Sequence, residues 1–161
     1  MNDLIATTRE CGECTLCCKM LYVSEYESPI GEYCKHCVPN SGCSIHEKRD
    51  EICRTFDCLW IKQTQIPDSY RPDRCHVLFE LPSHSLVYWA HVDDDYPDAY
   101  KSDEVQKIIR KINDAGHAVV MNNGGYYLPE GMTVSELTKD LQHMATENDK
   151  QGTLQKWQQQ A

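Results

Sequence analysis

An α+β fold in two unequal parts is predicted, and three observations predict it. Nine of the ten cysteines stand between residues 11 and 58. Further on, runs of β-branched and aromatic residues flank turn-forming sequences, and two stretches carry apolar residues three or four apart. The cysteines set apart a small irregular module, residues 1–75, with too few large apolar residues to build a core of its own. The other two patterns predict an α+β unit of two β-hairpins and two helices over residues 76–145, packed on that module. A polar tail, residues 146–161, is expected to fray.

Within the first part, Tyr22 and Val23 form a short strand candidate, and Pro29, Gly31 and the run Pro39-Asn40-Ser41-Gly42 mark loops. In the second part, residues 77–81 and 86–92 read as strands joined by Pro82-Ser83-His84-Ser85, hence a hairpin. Asp93, Asp94, Asp95 and Asp98 lack the closing glutamate of a calcium loop and read as a solvated acidic loop. Ser102 is placed to cap a helix whose apolar face is Val105, Ile108, Ile109 and Ile112, ended by Gly116. Residues 118–121 and 126–128 flank Asn122-Asn123-Gly124-Gly125, a hairpin turn. Thr133 and Glu136 make a capping box for a last helix carrying Val134, Leu137, Leu141 and Met144, and Leu154 and Trp157 are placed to anchor one further turn.

The chain has 161 residues and a formal net charge of −9. That acidic balance argues against phosphate-backbone binding, so no nucleic acid is expected as partner. No signal peptide opens the sequence, and no stretch reaches the ~18 apolar residues of a membrane helix, so a cytoplasmic protein away from membranes is expected. In a reducing cytosol clustered thiols read as metal ligands or redox groups, not as disulfides.

Cys11-Gly12-Glu13-Cys14-Thr15-Leu16-Cys17-Cys18 overlaps two C-x2-C steps and adds an adjacent thiol. Each step is a turn that brings two sulfurs to one ion, at about 2.3 Å for zinc. Neighbouring residues of an extended segment point to opposite sides, so Cys17 and Cys18 are expected at different sites or at different edges of one cluster. Cys34-Lys35-His36-Cys37 supplies another knuckle, and Cys43, Cys53 and Cys58 follow, close to two sets of four. Unligated thiols at this density would be an oxidation hazard.

These motifs resemble the CxxCxxCC-type zinc- or iron-chelating cysteine-cluster family, to which the YkgJ-type proteins belong. The resemblance rests on Cys11-x2-Cys14-x2-Cys17-Cys18, on Cys37 leading into Gly42-Cys43-Ser44-Ile45, and on Cys53-Arg54-Thr55-Phe56-Asp57-Cys58. It extends through Leu59-Trp60 toward Tyr70-Arg71-Pro72-Asp73. The metal ligands it implies are Cys11, Cys14, Cys17, Cys18, Cys37, Cys43, Cys53 and Cys58, with Cys34 and Cys75 as extras. His46 stands where the family has an aromatic residue, and Asp50 follows Arg49 where it has proline, which bears on the local loop and not on the cage.

Zinc is favoured, with about two ions, because eight thiolates divide into two closed tetrahedral sites. An iron–sulfur cluster is the alternative: the Cys11-Cys14-Cys17 run matches three ferredoxin ligands, although Lys19, not proline, follows Cys18. Copper(I) ranks lower without a methionine-rich run beside the cage. His46 is a further possible ligand, with a loop histidine the plainer reading. Arg54 is placed to offset thiolate charge or to hydrogen-bond sulfur, with a solvated arginine as its alternative. His76, His84, His91 and His117 form no ligand spacing, and no hydrolase, Walker or dinucleotide-binding pattern is present. The expected role is therefore structural metal binding that presents a surface to a protein partner, with no enzyme activity assigned. An iron–sulfur redox protein or a methylase-like enzyme comes second, because flagellin lysine N-methylases share the cysteine motif, and metal storage or delivery third.

Overall fold

The computed structural model describes residues 9–82 and 85–149. The α+β class is borne out: the described residues form helices, a two-stranded ribbon and a four-stranded sheet. In the cysteine-rich part, α1 (Cys17–Met20), β1 (Cys37–Val38), β2 (Gly42–Cys43), α2 (Glu51–Thr55), α3 (Leu59–Lys62) and α4 (Pro72–Cys75) are single turns or two-residue strands. Of the expected strand at Tyr22 and Val23, Val23 makes one antiparallel bridge, to Ser28.

The sheet is ordered β3 (Val77–Glu80), β4 (Val87–Val92), β5 (Ala118–Met121) and β6 (Tyr126–Tyr127). Both hairpins form, β3 against β4 and β5 against β6. They join through a parallel β4–β5 pair, Val87 opposite Ala118 and Ala90 opposite Met121, with α5 (Asp103–Asp114) as the crossover. A parallel pair needs a long connection, and this helix with its flanking loops supplies it. Ser102 Oγ accepts from Val105 N at 3.4 Å, and Gly116, at φ +85°, follows the last turn. The capping box of α6 (Val134–Asp149) forms as well, with Glu136 Oε2 accepting from Thr133 N at 2.7 Å. Residues 146–149 continue that helix, while Leu154 and Trp157 lie outside the described residues.

Side-chain alternation gives the sheet two apolar faces. On one, Val77, Phe79, Ala90, Val92, Val119 and Met121 pack beneath Val105, Ile108, Ile109 and Ile112 of α5. On the other, Val87 and Ala118 pack against Leu137 of α6, and Leu78 packs against Leu16, Met20, Cys58, Trp60 and Ile61 of the cysteine-rich part. The acidic loop closes the same junction. Lys19 of α1 is 5% exposed and bonds the Asp93 carboxylate, itself 4% exposed, and that of Asp95 at 2.7 Å. Asp93 is therefore a buried ion-pair partner and not part of a solvated patch. Burial opposes the Lys19 charge, but its bonds to Asp93 and Asp95 outweigh that and raise its pKa. A Cβ on Gly31, whose φ is +89°, would meet Asp94 Oδ2 at 3.1 Å, so glycine is required where this loop comes close.

Candidate metal centre

Local hydrogen bonds gather the thiols. The first knuckle turns through Cys14 N to Cys11 O at 2.9 Å, with Gly12 at φ +54°, and delivers the chain into α1. Cys17 and Cys18 therefore lie on a helix. The strand alternation expected from sequence is therefore absent, and the two thiols stay neighbours, the Cys17 thiol donating to Cys18. Cys34 N donates to Cys18 O at 2.9 Å and Cys37 N to Cys34 O at 2.8 Å, which holds the second knuckle against α1. Cys43 lies opposite Cys37 across the β1–β2 ribbon. Asp50 N donates to the Tyr26 hydroxyl at 2.8 Å and Cys53 N to Asp50 O at 3.0 Å, fixing the start of α2.

Two neighbouring groups result. Cys11, Cys14 and Cys17 pack against the apolar cluster that contains Cys58, and Cys11 also feels Cys18 of the second group. Cys18, Cys34, Cys37, Cys43 and Cys53 form the second group, in which Cys53 feels Cys18, Cys34 and Cys43. The groups meet where the Cys17 thiol donates to Cys18, which also accepts from the Cys37 thiol. Those donors bring Cys18 down to about 7, chiefly through Cys17, against burial, and burial instead pushes Cys14 and Cys37 up to about 12 and Cys53 to about 11. Cys11 and Cys58 are also raised by burial, and Cys17 is raised by the proton it donates to Cys18.

Three polar residues that sequence reasoning passed over touch this cluster. The Thr15 hydroxyl donates to Cys37 and accepts from Asn40 N at 3.1 Å. The Cys14 thiol donates to Asp73, which Arg71 clamps with two bonds of 2.6 Å. Burial opposes the Asp73 charge, yet Arg71 holds the carboxyl below its ordinary value. The third is Arg49, whose charge favours the thiolates of Cys11, Cys18 and Cys53. Its position beside the matched Cys53 motif, and that of Asp73 in the Tyr70-Arg71-Pro72-Asp73 run, were the signals in the sequence. Arg54 is exposed on α2, and His46 is exposed with Glu47 3.4 Å away. Cys75 lies near Cys58, but its half-buried thiol, raised to about 11 by burial, donates to Tyr70 O and Val77 O at 3.5 and 3.2 Å.

All ten cysteines are free thiols. Among the described residues, no group of three or more His, Cys, Asp or Glu side chains is arranged so that it could hold a metal ion. The donor chemistry fits a soft or borderline cation. The thiols are bonded to one another and to nearby polar groups, so closing on an ion requires them to release protons and turn toward a common point. Beside Cys75 an open cleft of about 690 Å³ is lined by Arg74, His76, Tyr96, Asp98 and Glu104. The His76 ring stacks on Tyr96 at 3.5 Å, and its Nδ1 is 3.7 Å from Asp93. The Cys75 thiol is committed to backbone carbonyls and offers this cleft no nucleophile.

No family model, no curated protein and no solved structure matches the chain. Among the described residues, no helix is long and apolar enough to cross a membrane.

Proposed function

We propose that this is a metal-thiolate protein of the cysteine-cluster type, holding two zinc ions that fold its first third and keep it seated on the sheet. The observation that carries the reading is the pair of adjoining thiol groups, which meet at Cys17 and Cys18 and draw on cysteines from five separate segments. Half-buried thiols in such numbers have weak partners in one another, and a cation that takes four of them compensates their charge as thiolates. Two groups favour two mononuclear sites over one cluster. Cys11, Cys14, Cys17 and Cys58 would hold one ion, and four of Cys18, Cys34, Cys37, Cys43 and Cys53 the other. Closed sites of this kind stabilise structure and leave no ligand position for a substrate, so the reading assigns no catalysis. Thiolates in this state require a reducing compartment, and the cytoplasm is proposed.

Elemental analysis and an ultraviolet–visible spectrum of anaerobically purified protein test this. About two equivalents of zinc and a colourless solution are expected. Brown protein carrying iron and sulfide would replace the zinc reading with the iron–sulfur one.

A further inference from the structure

The β1–β2 ribbon sets Cys37 directly opposite Cys43, with Val38 opposite Gly42. One step outside the cysteines Ser44 N donates to His36 O at 2.8 Å, so Cys37 and Cys43 form the pair that lies between ladder bonds. Such a pair has its Cα atoms about 4.5 Å apart and its two side chains on one face of the ribbon. A disulfide spans Cα atoms roughly 4.4–6.8 Å apart, so these thiols can join by turning their side chains, with the backbone in place. The Ser44 hydroxyl also donates to His36 O, at 3.0 Å, and fastens the register. Both cysteines are half-buried, and the turn between them, Val38 to Ser41, is exposed, which opens the pair to a small oxidant. No other two cysteines among the described residues are strand partners. Adjacent Cα atoms are about 3.8 Å apart, short of the disulfide span, which sets aside Cys17 with Cys18 along α1. Cys34 and Cys58 are buried, and Cys11 and Cys14 pack against the apolar cluster of Leu16, Met20 and Trp60.

We infer that Cys37 and Cys43 are a site of reversible oxidation, closing a cross-strand disulfide with hydrogen peroxide as the oxidant. One sulfur attacks the peroxide, the O–O bond breaks, and a sulfenic acid and one water result. The facing thiol then attacks that sulfur, the S–O bond breaks, and a second water leaves with the thiol proton. Two thiols and one peroxide thus become one disulfide and two waters. A dithiol reductant reverses the step through a mixed disulfide. Exposed bridges are the labile ones, and in a reducing compartment a disulfide is transient and senses oxidant. This inference goes beyond the metal reading above and does not rest on it, because it needs only the two thiols and the register that holds them. A bridged pair offers no thiolates, so oxidation withdraws two of the five thiols of the second group.

Full-length reduced protein is treated with about one equivalent of hydrogen peroxide beside a chelator, then alkylated and digested with trypsin for mass spectrometry. Cleavage after Lys35 and Lys48 isolates residues 36–48, a peptide that holds Cys37 and Cys43 and no other cysteine. That peptide is expected to be the first to lose two hydrogens and escape alkylation, and to accept the alkylating reagent at both sulfurs again after a dithiol. Cys43→Ser is expected to leave Cys37 as a sulfenic acid that a dimedone probe traps. Cys43→Ser combined with Ser44→Cys moves the thiol to the opposite face of the ribbon and is expected to abolish the bridge. A first disulfide through Cys34, joining residues 20–35 to this peptide, would overturn the assignment, as would Cys37 and Cys43 staying fully alkylated while other cysteines oxidise. A bridge that survives the move to position 44 would overturn the cross-strand geometry. The wild-type map decides the matter even where a variant fails to fold. Zinc content of untreated protein tests the metal reading separately: protein without zinc that closes this bridge refutes that reading and keeps this one, and zinc-bearing protein that closes another bridge does the reverse.

Discussion

Replacing Lys19 with methionine should destabilise the protein by about 3–5 kcal/mol, the cost of breaking a buried ion pair from one side. The magnitude follows from what Asp93 would be left with. Its carboxylate is 4% exposed, and without the ammonium it keeps the backbone N–H of Asp95 at 3.2 Å and His76 Nδ1 at 3.7 Å. Asp95 would lose less, since its side chain is 75% exposed and water replaces the lysine. Lys19→Met combined with Asp93→Leu should recover most of the loss, because apolar groups of similar volume often substitute for a buried pair without penalty. Urea unfolding of the metal-loaded proteins, followed by tryptophan fluorescence, measures all three. The pH dependence has a definite sign. Lys19's pKa is raised in the fold, so the contribution is intact below the unfolded lysine value of about 10.4 and is lost as pH rises through the higher folded value. A Lys19→Met penalty under about 1 kcal/mol would place the pair in the surface class and refute the buried bridge as a tie between α1 and the sheet.

Cys75→Ser should keep near wild-type zinc content, whereas Cys14→Ser and Cys53→Ser should each lose about one equivalent by elemental analysis. Cys34→Ser should keep the ion of the second group and Cys43→Ser should lose it, because Cys34 lies outside the matched motifs; loss in both would show that Cys34 is a ligand. Zinc binding to the group of Cys11, Cys14, Cys17 and Cys58, all raised in pKa, should release about four protons per ion near neutral pH. Calorimetry in buffers of different ionisation enthalpy reads that number, and release of fewer than about two would show that these thiols are not the ligands. Gly31→Ala should cost about 1–2 kcal/mol in the same urea assay, since φ is +89° there and Asp94 stands in the way. Chelation under reducing conditions should remove amide-exchange protection from residues 11–58 while the sheet face under α5 keeps it.

The second part of the chain was largely legible, because its signals are local. The Asn122 to Gly125 turn and the Thr133 and Glu136 box declare themselves over four residues, and the α5 face repeats over two turns. The parallel β4–β5 join was not legible. It is set by where α5 must lie to cover Val77, Phe79 and Val119, which no local pattern reports. In the first part the helices are too short for any periodicity to show, so α1 read as extended. The thiols themselves were legible from spacing. Arg49, Thr15, Asp73 and the Lys19–Asp93 pair were not, because each meets its partner through a tertiary contact spanning many residues, and a lone charged or hydroxyl residue in sequence reads as solvated.

The same contacts decide how far the influence of the proposed metal would reach. The segment from Cys11 to Cys58 has little apolar surface to set against a conformational entropy cost of about 1–2 kcal/mol per residue. Zinc on thiolates provides roughly 10–16 kcal/mol in small peptides near neutral pH, which suffices to hold short turns but not to act on a distant core. Its reach depends on α1. Cys17 and Cys18 open that helix, and the next two residues, Lys19 and Met20, are both buried against the rest of the protein. Lys19 engages the loop that leaves β4, while Met20 packs in the cluster that covers Leu78 of β3. A metal that fixes Cys17 and Cys18 therefore fixes the register of the buried ion pair and one cover of the sheet together. The α5 face makes neither contact; Leu59, Ile66 and Tyr70, which follow the cage in sequence, pack at its edge, so its burial does not depend on Cys17 and Cys18.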